Sequence, residues 1–104
     1  MIEDTIAKLR AERDALLQAP LPPAPGAALV KETVSRRNFS QVVWRAKTAT
    51  LTSRRTGKPI RSLYVGTVGS TAHLEALEML QNRKKLKRLN RQIKALERVK
   101  KQLT

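Results

Sequence analysis

The side chains with the most chemistry to offer are cations gathered around one turn. In "RRTGKP", Arg54, Arg55 and Lys58 flank Thr56-Gly57, while Arg45 and Lys47 precede the turn and Arg61 and Tyr64 follow it. Guanidinium and ammonium groups neutralise phosphates and release condensed counterions. An arginine can also pair through two N–H groups with one guanine edge. Tyrosine adds a π face on which an unpaired base stacks. This is chemistry of recognition rather than of bond cleavage.

Catalytic chemistry has little to stand on. The single histidine, His73, is followed by Glu75 and Glu78 at a spacing that does not converge on a metal, which usually takes three or four ligands. Cysteine is absent, which removes disulfides, thiolate nucleophiles and cysteine-ligated zinc. No Walker loop, paired-acid motif or Ser-His-Asp arrangement is present. "GTVGST" places glycines before a helix start, where free amides suit an anion, but it matches no nucleotide fingerprint. Gly57, Gly66 and Gly69 read as turn and helix-entry glycines. The expectation is no enzyme, no cofactor and no metal.

Charge points the same way. The 104 residues carry a net +14 from 22 basic and 8 acidic side chains, unevenly spread. Residues 1–30 hold three basic and four acidic groups, residues 31–70 nine and one, and residues 71–104 ten and three. A basic body behind a nearly neutral arm is the footprint of a nucleic-acid partner, with DNA favoured over RNA. The opening "MIEDTIAKLR" has no signal-peptide core, and no stretch approaches the ~18 apolar residues that span a bilayer. The expected setting is cytoplasmic, without a membrane partner, and compatible with nucleoid association.

The elements that must position these groups can be read from periodicity. Residues 1–18 predict a helical arm whose stripe Ile2, Ile6, Leu9 and Leu16 is interrupted by Arg13. "APLPPAPGAA", residues 19–28, holds four of the five prolines and predicts a stiff extended linker. Residues 29–70 predict a basic hairpin module. Within it, 29–37 fits a short strand or a helical turn, 40–52 a strand, and "IRSLYVG" a second strand. Centring a two-residue turn on Thr56-Gly57 places Ala49 opposite Tyr64 and Thr48 opposite Val65. Leu63 and Val65 then join Trp44 and Ala46 on one face, and Tyr64 joins Arg45 and Lys47 on the other.

Residues 71–104 predict a long basic helix capped by Ser70 or Thr71, with Leu74 and Leu77 facing the sheet. Further on, Met79, Asn82, Leu86, Leu89, Ile93, Leu96, Lys100 and Leu103 follow a coiled-coil seam. Leu86, Leu89, Ile93 and Leu96 are its expected oligomerisation residues. Lys84, Lys87, Arg88, Arg91, Lys94, Arg98 and Lys101 all lie away from the seam. The fold class is α+β: a two- or three-stranded antiparallel sheet, then the long helix, with a separate N-terminal helix.

The stretch "VVWRAKTATLTSRRTGKPIRSLYVGTVGSTAHLEAL" resembles the small arm-type DNA-binding domains at the N-terminus of tyrosine recombinases, over about 36 residues. The shared features are a Trp-Arg strand, a Gly-Lys turn, a second strand ending in an apolar-Gly step, and a helix. The sequence also looks like short bacterial and plasmid-borne proteins with a basic hairpin and a coiled-coil helix. The recombinase likeness implies a sheet lying in the DNA major groove. It implies contacts from Arg45, Lys47, Arg55, Lys58 and Arg61, with Trp44 and Val65 in the core. The chain has no recombinase domain, so strand cleavage is not implied.

The functional expectation is a DNA-binding regulator or accessory factor of a mobile element, dimeric through its C-terminal helix. Its contacts are Arg45, Lys47, Arg54, Arg55, Lys58, Arg61 and Tyr64, together with Lys84, Lys87, Arg88, Arg91 and Lys94. An RNA-binding or ribosome-associated protein and a coiled-coil adaptor are the alternatives.

Overall fold

A computed structural model describes residues 1–34 and 39–103. In chain order the elements are α1 (Ile2–Leu17), β1 (Ala28–Val34), β2 (Phe39–Arg45), β3 (Leu51–Thr52), β4 (Pro59–Ile60), β5 (Ser62–Thr67) and α2 (Thr71–Leu103). The class is α+β, as the periodicity predicts. The chain divides into two compact units. One joins Met1–Leu21 to α2 from Met79 onward; the other is Pro22–Glu78. Of the ambiguous stretch 29–37, residues up to Val34 are strand, and 35–37 lie outside the described residues.

In the strand unit, β1, β2 and β5 form an antiparallel sheet with β2 in the centre. Val42, Val43 and Trp44 are consecutive and all at most 5% exposed, so both faces of the central strand are covered. β-Branched and aromatic side chains suit that pleated, doubly packed position. On one side Trp44 is flanked by Leu29 and Leu63, and on the other Val43 is flanked by Val30 and Tyr64. A bulge between Val42 and Val43 moves the pairing from Tyr64 to Gly66 and leaves Val65 as the extra residue.

The register differs from the sequence expectation. Tyr64 pairs with Val43, six residues before Ala49, because the hairpin is not continuous. The Ala46 N–H donates to the Arg61 carbonyl at 2.8 Å, and the chain then leaves the sheet. It returns only after the small ribbon β3–β4, anchored by Leu51 at 1% exposure. The turn also spans four residues, not two. Ser53 N–H donates to the Lys58 carbonyl and Gly57 N–H to the Ser53 carbonyl, both at 2.9 Å. Gly57 takes the left-handed conformation, φ 72°, that closes such a loop. A slip by an even number of residues preserves the alternation, so Arg45 and Tyr64 still share a face opposite Trp44 and Leu63.

At the entry to α2, Ser70 is the cap: its Oγ accepts the His73 N–H at 3.2 Å. His73 in turn accepts the Gly69 N–H on Nδ1 at 2.9 Å. The pair resembles a capping box with histidine in the usual Glu position. Gly66 is required by proximity, since a Cβ there would stand 2.8 Å from Ser70 Oγ and 3.3 Å from the Ala72 Cβ. Leu74 and Leu77 do not pack on the sheet; they are 60% and 40% exposed. Ala76, at 2%, is the buried residue of this segment. With only small side chains at Gly66, Ala72 and Ala76, backbones can approach closely and large leucines are displaced outward.

In the helical unit α1 runs antiparallel to α2. Glu3 lies 3.9 Å from Lys100, Arg10 2.5 Å from Glu97, and Asn82 donates to the Pro20 carbonyl at 2.9 Å. Ile6 and Ile93, 4% and 3% exposed, are its buried apolar centre. This pairing places the acids of α1's first turn beside the basic last turn of α2, which also suits both helix dipoles. In the strand unit, the later part of the proline-rich stretch is packed. Ala24 and Ala27 are buried, and Ala27 N–H closes a turn onto the Ala24 carbonyl at 3.1 Å.

These placements separate two leucine-rich surfaces. Ile93→Ala is expected to lower stability by about 2–5 kcal/mol in urea unfolding. Leu74→Ala is expected to stay within about 0.5 kcal/mol of the parent chain.

Candidate nucleic-acid interface

The helical unit builds its cationic surface from repetition. Lys84, Lys87, Arg91, Lys94, Arg98 and Lys101 recur in steps of 3, 4, 3, 4 and 3, which keeps them on one face of α2. All six are exposed, and at ~1.5 Å per residue they extend over about 26 Å. Glu97 is the one acid beyond Glu78, and Arg10 of α1 engages it. Arg88 does not join this stripe. It stands with Lys85 on the other flank, where both border a recess with Glu12, Ala15, Leu16, Leu89 and Gln92.

The residues expected to bind a second chain lie in the helical unit, two of them, Leu89 and Leu96, beside α1. Ile93 is covered, and Leu86, Leu89 and Leu96 are half-buried. Leu89 borders the recess with Ala15 and Leu16, and Leu96 borders another with Thr5 and Leu9. Asn82, a weak point in a helix-pairing seam, is buried and satisfied by the Pro20 carbonyl. That bond fastens the exit from α1.

The strand unit presents its cations at two places. Arg54, Arg55 and Lys58 are exposed on the four-residue turn. That turn is stiffened from within: Thr56 N–H donates to Ser53 Oγ and Lys58 N–H to Thr56 Oγ1, both at 3.3 Å. Among the described residues these three cations form no ion pair. Lys47 lies past the end of β2, in a bend beside Pro25 and Gly26, and so leaves the sheet face it was expected to share with Arg45. Arg61, between β4 and β5, is exposed, and its carbonyl takes the Ala46 amide.

Arg45 and Tyr64 remain on one sheet face, Tyr64 being 50% exposed. Arg45 has a partner that the sequence reading passed over. Its Nη2 donates to Glu32 Oε1 on β1, and Gln41 Nε2 donates to the other oxygen, Oε2, at 3.4 Å. The available signal was compositional: Glu32 is the one acid among nine basic side chains in residues 31–70.

His73 is occupied by capping, and no group of three or more His, Cys, Asp or Glu that could hold a metal is found among the described residues. No helix of the described residues is long and apolar enough to cross a membrane. No protein-family model, curated protein or solved structure matches the chain.

The burial of Ile93 predicts a change of association on truncation. Removal of residues 1–18 exposes Leu89, Ile93 and Leu96 and should produce self-association in sedimentation velocity, whereas the intact chain should sediment as a monomer.

Proposed function

We propose that the protein is a non-enzymatic DNA-binding protein that neutralises backbone phosphates with α2 and with the β3–β4 turn. One observation carries this reading: six exposed basic side chains on a single face of α2, with the acid of that segment engaged by Arg10. A face kept merely soluble would mix both signs. Here ten basic residues stand against one acid from Met79 to Thr104. The turn cations Arg54, Arg55 and Lys58 add a second phosphate-contacting group, and the likeness to arm-type domains favours duplex DNA. That likeness is also the ground for a role as regulator or accessory factor of a mobile element.

The proposed form is a monomer. The seam that suggested a homodimer or a coiled-coil adaptor has α1 as its partner, which leaves the cationic face as the outward surface of α2. Solvent-exposed stripes of this kind bind through counterion release, so affinity should fall steeply with salt.

Anisotropy of a labelled short duplex tests the reading. Replacing Lys84, Lys87, Arg91 and Lys94 together by Gln should reduce the slope of log affinity against log salt by ~3–4. Replacing Arg54, Arg55 and Lys58 by Gln should reduce it by ~2–3. Unchanged slopes would reject the phosphate contacts. Tighter binding to structured RNA than to duplex would reject DNA as the partner.

A further inference from the structure

Glu32 is out of place in a module that otherwise carries only cations, and both of its oxygens are used. Gln41 is its direct partner across the β1–β2 ladder, whereas Arg45 stands opposite Ala28, four residues away along β1. At ~3.4 Å per residue, Arg45 reaches Glu32 only by laying its side chain along the sheet, over the Val43–Val30 pair. Val43 is accordingly 5% exposed. The methylene stem covers a valine while the charged end is held beside a carboxylate. Tyr64, the β5 partner of Val43, stands at the same level of the sheet.

A carboxylate in this position changes what Arg45 can bind. A phosphate approaching the guanidinium would also approach Glu32, and like charges a few ångströms apart repel. A base edge brings no such charge. Glu32 uses one of the five N–H donors of Arg45, which leaves a pair for the O6 and N7 acceptors of guanine. The N4 amino group of the paired cytosine is a donor, and the Glu32 carboxylate is an acceptor suited to it. A donor fork beside an anionic acceptor complements the major-groove edge of a G·C pair. The turn cations, with no carboxylate beside them, have no such bias.

Resting on the DNA-binding reading above, we infer that the Arg45–Glu32 pair is a G·C-reading element, with Glu32 acting as a positioning residue that turns Arg45 away from phosphate and towards the base edge.

The test compares binding of the intact chain to an alternating dG·dC duplex and an alternating dA·dT duplex of equal length. The parent chain should prefer the G·C duplex by roughly fivefold or more. Glu32→Ala should remove that preference while raising affinity for both duplexes and steepening the salt slope by about 1, since Arg45 is then released to phosphate. Arg45→Lys should remove the preference and leave the slope unchanged. Glu32→Gln, which keeps an acceptor for Arg45, serves if Glu32→Ala unfolds; it should steepen the slope and weaken the preference. Equal binding of both duplexes by the parent chain would overturn the inference and leave the DNA-binding reading standing. Absence of binding to either would overturn both. A Glu32→Ala chain that stays folded, loses affinity for both duplexes and keeps its preference would show that the pair serves only the sheet.

Discussion

The cationic face of α2 depends on the burial of Ile93. A helix of 33 residues with ten basic side chains in its later part gains nothing from its own charge, because like charges at helical spacing repel. What fixes its orientation is a narrow apolar seam, and α1 supplies the surface that covers it at Ile6 and Ile93. With the seam turned inward, residues stepping by three and four on the other side must face solvent. The ion pairs between α1 and α2 are exposed, so each adds about 0–1 kcal/mol. Their larger consequence is electrostatic placement: Arg10 engages Glu97, and Glu3 draws Lys100 towards α1.

The strand unit meets a different constraint. A three-stranded sheet whose central strand is buried on both faces has little room for charge, and Arg45 at the end of β2 is accommodated by lying flat against Glu32. Arg54, Arg55 and Lys58 stand off the sheet, on a turn closed by Gly57 and by the hydroxyls of Ser53 and Thr56. The unit therefore sets two kinds of cation apart. Among the described residues the three on the turn have no ion-pair partner, whereas Arg45 is held beside a carboxylate on the sheet face.

Much of this was legible in the sequence because it rests on local periodicity. The two helices, the strand around Trp44 and the shared face of Arg45 and Tyr64 all follow from spacing of 3.6 or 2, and residue type narrows the cap of α2 to Ser70 or Thr71. What escaped depends on contacts distant in sequence. The excursion through β3 and β4 was invisible because "ATLTSRRTGKPIRS" alternates well enough to continue a hairpin, and Leu51 anchors a separate ribbon instead. Leu74 and Leu77 stay exposed because the close approach at Gly66 admits alanines rather than leucines. Heptad spacing marks the seam on α2 but cannot say which helix will cover it. Glu32 was missed because its meaning lies in a partner thirteen residues away.

Under the proposed phosphate contacts, the intact protein should bind a mixed-sequence duplex clearly at about 50 mM salt, and the log–log plot across salt should be straight with a slope of about −5 to −7. No binding at that salt, or a slope close to zero, would contradict those contacts.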